Sequence, residues 1–193
     1  YIGSRRDGAM AEYVAVPSKN LIKMPASVSF SSGGAVEPAA VTLHGMRLAA
    51  IAPGDSVAVV GCGTIGLFAV QFARIMGATR IIAVDIDSAK LDFARSLGAT
   101  DCVNSAAQDP VQAISGFTAD KGVAVAVETA GLPVTQEQCL RLARKNGRVL
   151  LLGTAHKDVT LPKETFERII RCELTVKGSW NSYSAPFPGV EWH

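Results

Sequence analysis

The sequence predicts an α/β fold: a doubly wound, parallel, six-stranded sheet with helices on both faces. Three observations carry that expectation. From residue 57 onward, six short apolar runs alternate with helical stretches. Most of these runs are continuously apolar rather than alternating, as strands buried on both faces must be. The first run ends in Gly61-Cys-Gly63-Thr-Ile-Gly66, a glycine turn leading from a strand into a helix.

The elements follow in order. Glu12–Val16 alternates and reads as a strand, Pro17-Ser-Lys-Asn as a turn, and Leu21–Met24 as a second short strand stopped by Pro25. A helix is expected over about 34–50, with apolar positions at steps of three and four. After the break at Pro53-Gly54-Asp55, the six runs are Val57–Val60, Arg80–Val84, Asp101–Val103, Val123–Val127, Arg148–Leu152 and Leu174–Lys177. Helices are expected between them over 64–76, 88–97, 111–114, 134–143 and 166–171, the first two closed by Gly77 and Gly98. Six strands from βα units predict the spatial order 3-2-1-4-5-6 of the dinucleotide-binding Rossmann sheet. The boundary with the preceding region is expected inside the helix near 40–52.

Composition excludes several classes. The 193 residues are 48% apolar and 19% charged, and 18 Gly with 9 Pro make about 14% of the chain, too little for a low-complexity or disordered segment. The net charge is +2 and no basic run exceeds two residues, which argues against nucleic-acid binding. No run of about 18 apolar residues predicts a membrane span. The N-terminus has neither Met nor an apolar signal core and reads as the middle of a longer chain. Cys62, Cys102, Cys139 and Cys172 show no C-x-x-C spacing, so buried free thiols and a cytoplasmic location are expected.

The chemistry concentrates at the glycine turn. Gly61 permits the tight turn, Gly63 lets backbone approach a pyrophosphate, and Gly66 lets the helix pack closely on the strand. The N–H groups of the helix start, at Thr64, Ile65 and Gly66, then face the diphosphate. Asp85 ends the second strand 24 residues after Gly61, where a carboxylate accepts hydrogen bonds from the adenosine ribose. A 2′-phosphate there meets like charge, so NAD is expected over NADP. The bland alternative for Asp85 is a helix cap. Lys90 can reach the ribose from the other side or stand as an ordinary exposed lysine. A competing reading is an S-adenosylmethionine methyltransferase, but its first loop carries an acid two residues before the first glycine, where this chain has Val59. Upstream, Glu37-Pro38 opens the earlier helix, and His44 lies two turns along on nearly the same face. A first-turn acid and a hydrogen-bonded interior histidine explain both without a metal. His156 and His193 add no ligand spacing.

Together, Asp7-Gly-Ala-Met-Ala-Glu-Tyr13, Glu37-Pro38, Gly61–Gly66 and Gly77-Ala resemble the zinc-dependent medium-chain dehydrogenase/reductases. Glu37-Pro38 narrows the resemblance to the polyol branch, which includes sorbitol and threonine dehydrogenases. The stretches Ile2–Gly8 and Gly178–Trp192 look most like its polyol-phosphate members, whereas Asn181-Ser182 stand where sorbitol-type enzymes carry Arg-Tyr. The resemblance implies a partial GroES-like catalytic domain over 1–45 and an NAD-binding Rossmann domain over 46–193. It implies NAD-dependent, zinc-assisted oxidation of a secondary alcohol in a polyol or polyol phosphate similar to galactitol 1-phosphate. Glu37 falls at the catalytic zinc, as ligand or through its water. Thr129, Gly153, Thr154, Ser179 and Trp180 line the cofactor, and Arg5 or Arg6 is available to a substrate phosphate. A homodimer or homotetramer is implied. The family's remaining zinc ligands lie upstream of what Tyr1 matches and its last helices beyond His193, so the chain is expected to be a fragment that binds NAD weakly and turns over nothing. One carboxylate does not hold zinc. The alternatives are a threonine- or sorbitol-type substrate, or a non-catalytic NAD-binding module.

Overall fold

All six strands run parallel in the computed structural model, in the order β3-β2-β1-β4-β5-β6. The strands are β1 (Ser56–Val60), β2 (Arg80–Asp85), β3 (Asp101–Asn104), β4 (Val123–Glu128), β5 (Ala143–Leu151) and β6 (Thr175–Gly178). The helices are α1 (Phe30–Gly33), α2 (Val36–Leu48), α3 (Thr64–Ile75), α4 (Ser88–Ser96), α5 (Pro110–Phe117), α6 (Pro133–Leu142) and α7 (Lys163–Arg171). The structure describes residues 2–3 and 6–181; Arg5, Ser182, His193 and most of the Gly178–Trp192 stretch lie outside the described residues.

Successive strand residues point to opposite faces, and the core divides accordingly. Val57, Val59, Ile81, Ala83, Val125 and Val127 pack with Met46 of α2, Val70 of α3 and Leu91 of α4. Ala58, Val60, Ile82, Val84, Ala126 and Val149 pack on the other face with Ile114 of α5 and Cys139 of α6. Burial on both faces is why these runs are continuously apolar. β4 is the extreme case, with all six residues buried. By contrast, β6 lies at the sheet edge and its four residues are exposed.

The local chemistry of the helix ends matches the sequence. Asp87 accepts a hydrogen bond from Ala89 N at 2.9 Å and caps α4; Asp109 caps α5 through Val111 N at 2.7 Å. Past Gly77 and Gly98, Ala78 N bonds Ala73 O and Ala99 N bonds Ala94 O, both at 3.0 Å, closing α3 and α4. Pro38 falls in the first turn of α2, where its missing N–H removes no helix bond. β5 begins five residues earlier than expected. Val123 pairs with Ala143 and Val125 with Arg148, so residues 144–147 form an irregularity in its ladder. From there Arg148 reaches the α2–β1 connection. Its guanidinium donates to Ala49 O at 3.3 Å, to Ala50 O and to Asp55.

By its contacts the chain divides at Ala35/Val36, and α2 groups with the sheet. Within 1–35, the expected strands Glu12–Val16 and Leu21–Met24 do not form. Regular structure there comprises a 3-10 turn at Ser18–Asn20, an isolated Ile2–Arg6 bridge and α1, capped by Ser29. Alternation alone does not make a strand: it needs a ladder partner and a surface on which to bury its apolar face. Tyr13 and Leu21 instead lie 91% and 64% exposed. The helix expected over 34–50 is α2, shorter at both ends.

Candidate functional site

The sheet order reverses between β1 and β4, and in open α/β sheets ligands bind at such a point, outside the carboxyl ends of the strands. The glycine turn sits there. Gly61 has a φ of +98°, and its N–H bonds Val84 O at 2.8 Å. A Cβ on Gly66 would stand 1.8 Å from Gly61 O, so only glycine lets α3 close on the turn. A Cβ on Gly63 would meet nothing within 4 Å. The space in front of Gly63 is open, and no side chain caps α3 there. Thr64, Ile65 and Gly66 thus present a helix start whose N–H groups and partial positive charge suit an anion.

Asp85 lies at the tip of β2, as expected, and its carboxylate turns toward the glycine loop. Oδ2 accepts from Cys62 N at 2.7 Å and Oδ1 from Asp87 N at 3.0 Å. Capping of α4 falls to Asp87, so Asp85 is not that helix's cap. Each Asp85 oxygen retains acceptor capacity for a hydroxyl. Lys90 is exposed on the first turn of α4.

The loops after β4, β5 and β6 open at the same edge of the sheet. The Thr129 hydroxyl lies 3.1 Å from Val60 O and 2.8 Å from Gly61 O, so it holds the glycine turn from beneath. Gly153 is pressed against the next loop: a Cβ there would stand 2.2 Å from Gly131 N and 2.6 Å from Glu128 Oε2. Thr154 is exposed beside Gly131. Ser179 N bonds Leu151 O at 3.0 Å while its buried Oγ has no partner. Trp180 is exposed.

Sequence reasoning missed Glu128. It ends β4 wholly buried, and its Oε1 accepts from Ala130 N, Gly131 N and Thr135 Oγ1 at 2.9, 2.9 and 2.6 Å. The signal was a single carboxylate closing an apolar run, Val-Ala-Val-Ala-Val-Glu.

The metal candidates are not gathered. Glu37 is exposed on the first turn of α2 and His44 is half-buried further along. Among the described residues, no three His, Cys, Asp or Glu side chains could together hold a metal. They do not constitute a zinc site by themselves.

All four cysteines are free thiols. Cys62 is buried under the glycine loop with its Sγ 3.8 Å from Val84 O. Burial first, then the neighbouring Asp85 charge, pushes its thiol from an ordinary 9.0 up to about 12. A raised folded-state value stabilises the fold fully below the unfolded value of 9.0 and loses that contribution as pH rises toward about 12. Resistance to urea is expected to fall over that window, and Cys62→Ala to flatten the decline, with Cys102 and Cys139, also raised by burial, contributing in the same direction. An identical slope in the variant would show that Cys62 does not titrate with unfolding.

Residues 64–192 match the zinc-binding dehydrogenase family. The chain belongs to that family. Among curated proteins of the group, it is 42% identical over 192 residues to galactitol 1-phosphate 5-dehydrogenase of Escherichia coli K12, covering 100% of this chain and 56% of that one. It is 36% identical over 177 residues to L-threonine 3-dehydrogenase of Bacillus licheniformis, covering 92% and 50%. The crystal structure of galactitol-1-phosphate dehydrogenase from Escherichia coli superposes with a TM-score of 0.91 at 42% identity, over 100% of this chain and 56% of that one. A zinc-binding dehydrogenase from Sinorhizobium meliloti 1021, solved bound to NADP, superposes with a TM-score of 0.87 at 40% identity, over 94% and 53%. The chain thus spans about half the length of these family members.

Proposed function

We propose that this chain is the dinucleotide-binding half of an NAD-dependent alcohol dehydrogenase acting on a polyol or polyol phosphate. The observation that carries the reading is the open space before Gly63 at the uncapped start of α3, with Asp85 at the neighbouring strand tip. A dinucleotide fits that arrangement. The N–H groups of Thr64, Ile65 and Gly66 hold the diphosphate, and Asp85, with Lys90 opposite, takes the adenosine ribose. Thr129, Gly153, Thr154, Ser179 and Trp180 form the wall along which the other half extends. NAD, when bound, supplies the hydride acceptor.

The relatives' activities support the substrate class: one is named for galactitol 1-phosphate and another for L-threonine. Residues 1–45 are read as part of a GroES-like catalytic domain and 46–193 as the cofactor domain. Glu37 is assigned by resemblance to the zinc site of the whole protein. The exposed edge strand β6 supports self-association as a homodimer or homotetramer. Four free thiols support a cytoplasmic location.

The NADP bound by the Sinorhizobium meliloti relative favours a second reading of cofactor choice. Calorimetric titration of the chain with NAD and with NADP tests both. The expected result is weak NAD binding, with NADP at least roughly tenfold weaker because its 2′-phosphate meets the Asp85 carboxylate. Equal affinities would remove the preference, and binding of neither would remove the cofactor reading. The same chain is expected to turn over none of galactitol 1-phosphate, sorbitol or threonine, because its described residues hold no zinc site.

A further inference from the structure

We propose that Glu128 is the positioning residue for the nicotinamide-side wall of the crevice: its buried carboxylate holds the loop after β4 and, against it, the loop after β5. The inference rests on the cofactor reading above and goes beyond it by assigning a residue to the half of the crevice remote from Asp85.

Glu128 stands at the hub of the three strand tips. In the ladder it pairs with Val60, the residue before the glycine turn, and with Leu151, two residues before Gly153. Its own carbonyl accepts from Leu152 N at 2.9 Å and Gly153 N at 3.2 Å. Its side chain gathers Ala130 N, Gly131 N and the Thr135 hydroxyl onto one oxygen, folding the turn back over the strand end. The backbone of that turn passes close to Gly61, whose added Cβ would meet Ala130 N at 2.9 Å. The second oxygen, Oε2, is buried and has no partner. It lies where Gly153 comes closest, and Gln136 Nε2 reaches Gly153 O at 3.3 Å from α6.

The five residues before Glu128 are apolar; an apolar sixth would take this acceptor away from Ala130 N, Gly131 N and the Thr135 hydroxyl, whereas the carboxylate that meets them keeps a second oxygen buried without a donor. Local rules are broken where function requires it, and this place is the wall of the ligand crevice. Loops ordered this way before a ligand arrives do not have to be ordered by it.

The test compares NAD with AMP, which occupies only the adenosine half. In the chain, Glu128→Ala is expected to weaken NAD by roughly tenfold while AMP changes by less than about twofold. Glu128→Gln keeps one acceptor oxygen for the three donors and is expected to restore NAD binding to within about threefold of the parent. Thr135→Val removes one donor without opening the core, and is expected to weaken NAD two- to fivefold, roughly, again sparing AMP. It keeps the proposal testable if the alanine variant does not fold. Losses that fall equally on NAD and AMP, or lowered melting temperatures with unchanged affinities, would overturn the positioning role. A parent chain that binds neither nucleotide overturns the cofactor reading beneath it instead.

Discussion

Replacing Gly66 with alanine is expected to damage fold and cofactor binding together, whereas the same change at Gly63 is expected to damage binding alone. The two glycines stand three residues apart in one motif and meet opposite surroundings. At Gly66 an added Cβ would lie 1.8 Å from Gly61 O and 2.9 Å from both Gly61 C and Thr129 Oγ1. The nearest obstacle is backbone, which does not rotate away as a side chain does, so α3 must lift off β1. Overpacking of this kind costs about 1–3 kcal/mol or more. In a chain of this size each kcal/mol corresponds to roughly 2–4 °C of melting temperature. Lifting α3 also moves its N–H donors away from the diphosphate, so NAD binding weakens together with the fold. At Gly63 a Cβ meets nothing within 4 Å and the backbone φ is −73°, a value any residue adopts. Gly63→Ala should therefore keep the parent's melting temperature within about 1 °C while its methyl occupies the space of the pyrophosphate. Thermal scans and NAD titration of both variants check this. A Gly63→Ala chain that still binds NAD normally would show that the dinucleotide does not lie over this turn.

Asp85→Ala is expected to be nearly as costly to binding and to change cofactor preference. The carboxylate serves two surfaces at once, since Oδ2 holds Cys62 N at 2.7 Å and both oxygens retain acceptor capacity toward the ribose. A hydrogen bond to a charged group contributes about 1.5–3 kcal/mol, so losing the ribose contact weakens NAD by roughly 10- to 100-fold. NADP should suffer less or gain, because the like charge opposing its 2′-phosphate is gone. Asp85→Asn separates the two tasks in part: its one amide oxygen can keep the bond from Cys62 N while its NH2 gives up the bond from Asp87 N, and the neutral side chain no longer repels phosphate. The expected readout is a collapsed NAD-to-NADP affinity ratio in both variants, with weaker NAD binding in the alanine variant. Unchanged affinity for both cofactors in both variants would remove Asp85 from the site.

Much of this architecture was legible because the information is contiguous. Val57–Val60 and Arg80–Val84 declare strands buried on both faces, and Gly77 and Gly98 mark helix stops within a residue or two. What failed was equally specific. Glu12–Val16 and Leu21–Met24 alternate as strands do but remain irregular, since alternation records a preference and not the presence of a neighbour to pair with. The early start of β5 depends on a ladder irregularity opposite Val123–Val125, which is a property of two strands together. Glu37 and His44 share nearly one helix face by spacing, but no group of three potential metal ligands forms around them among the described residues.

The sequence alone determined the alternating buried strands and helices and the glycine turn, since each follows from hydrophobic period and backbone freedom within a few consecutive residues; the strand order followed from matching that alternation to the dinucleotide-binding sheet. Only the tertiary structure decided which carboxylates matter and how. Asp85 turns onto the amide of Cys62, 23 residues away. Glu128 sits buried among three strand tips with one oxygen satisfied and the other not. The reason is physical: a carboxylate's partners are set by what the fold brings within about 3 Å of it, and no local pattern encodes that neighbourhood.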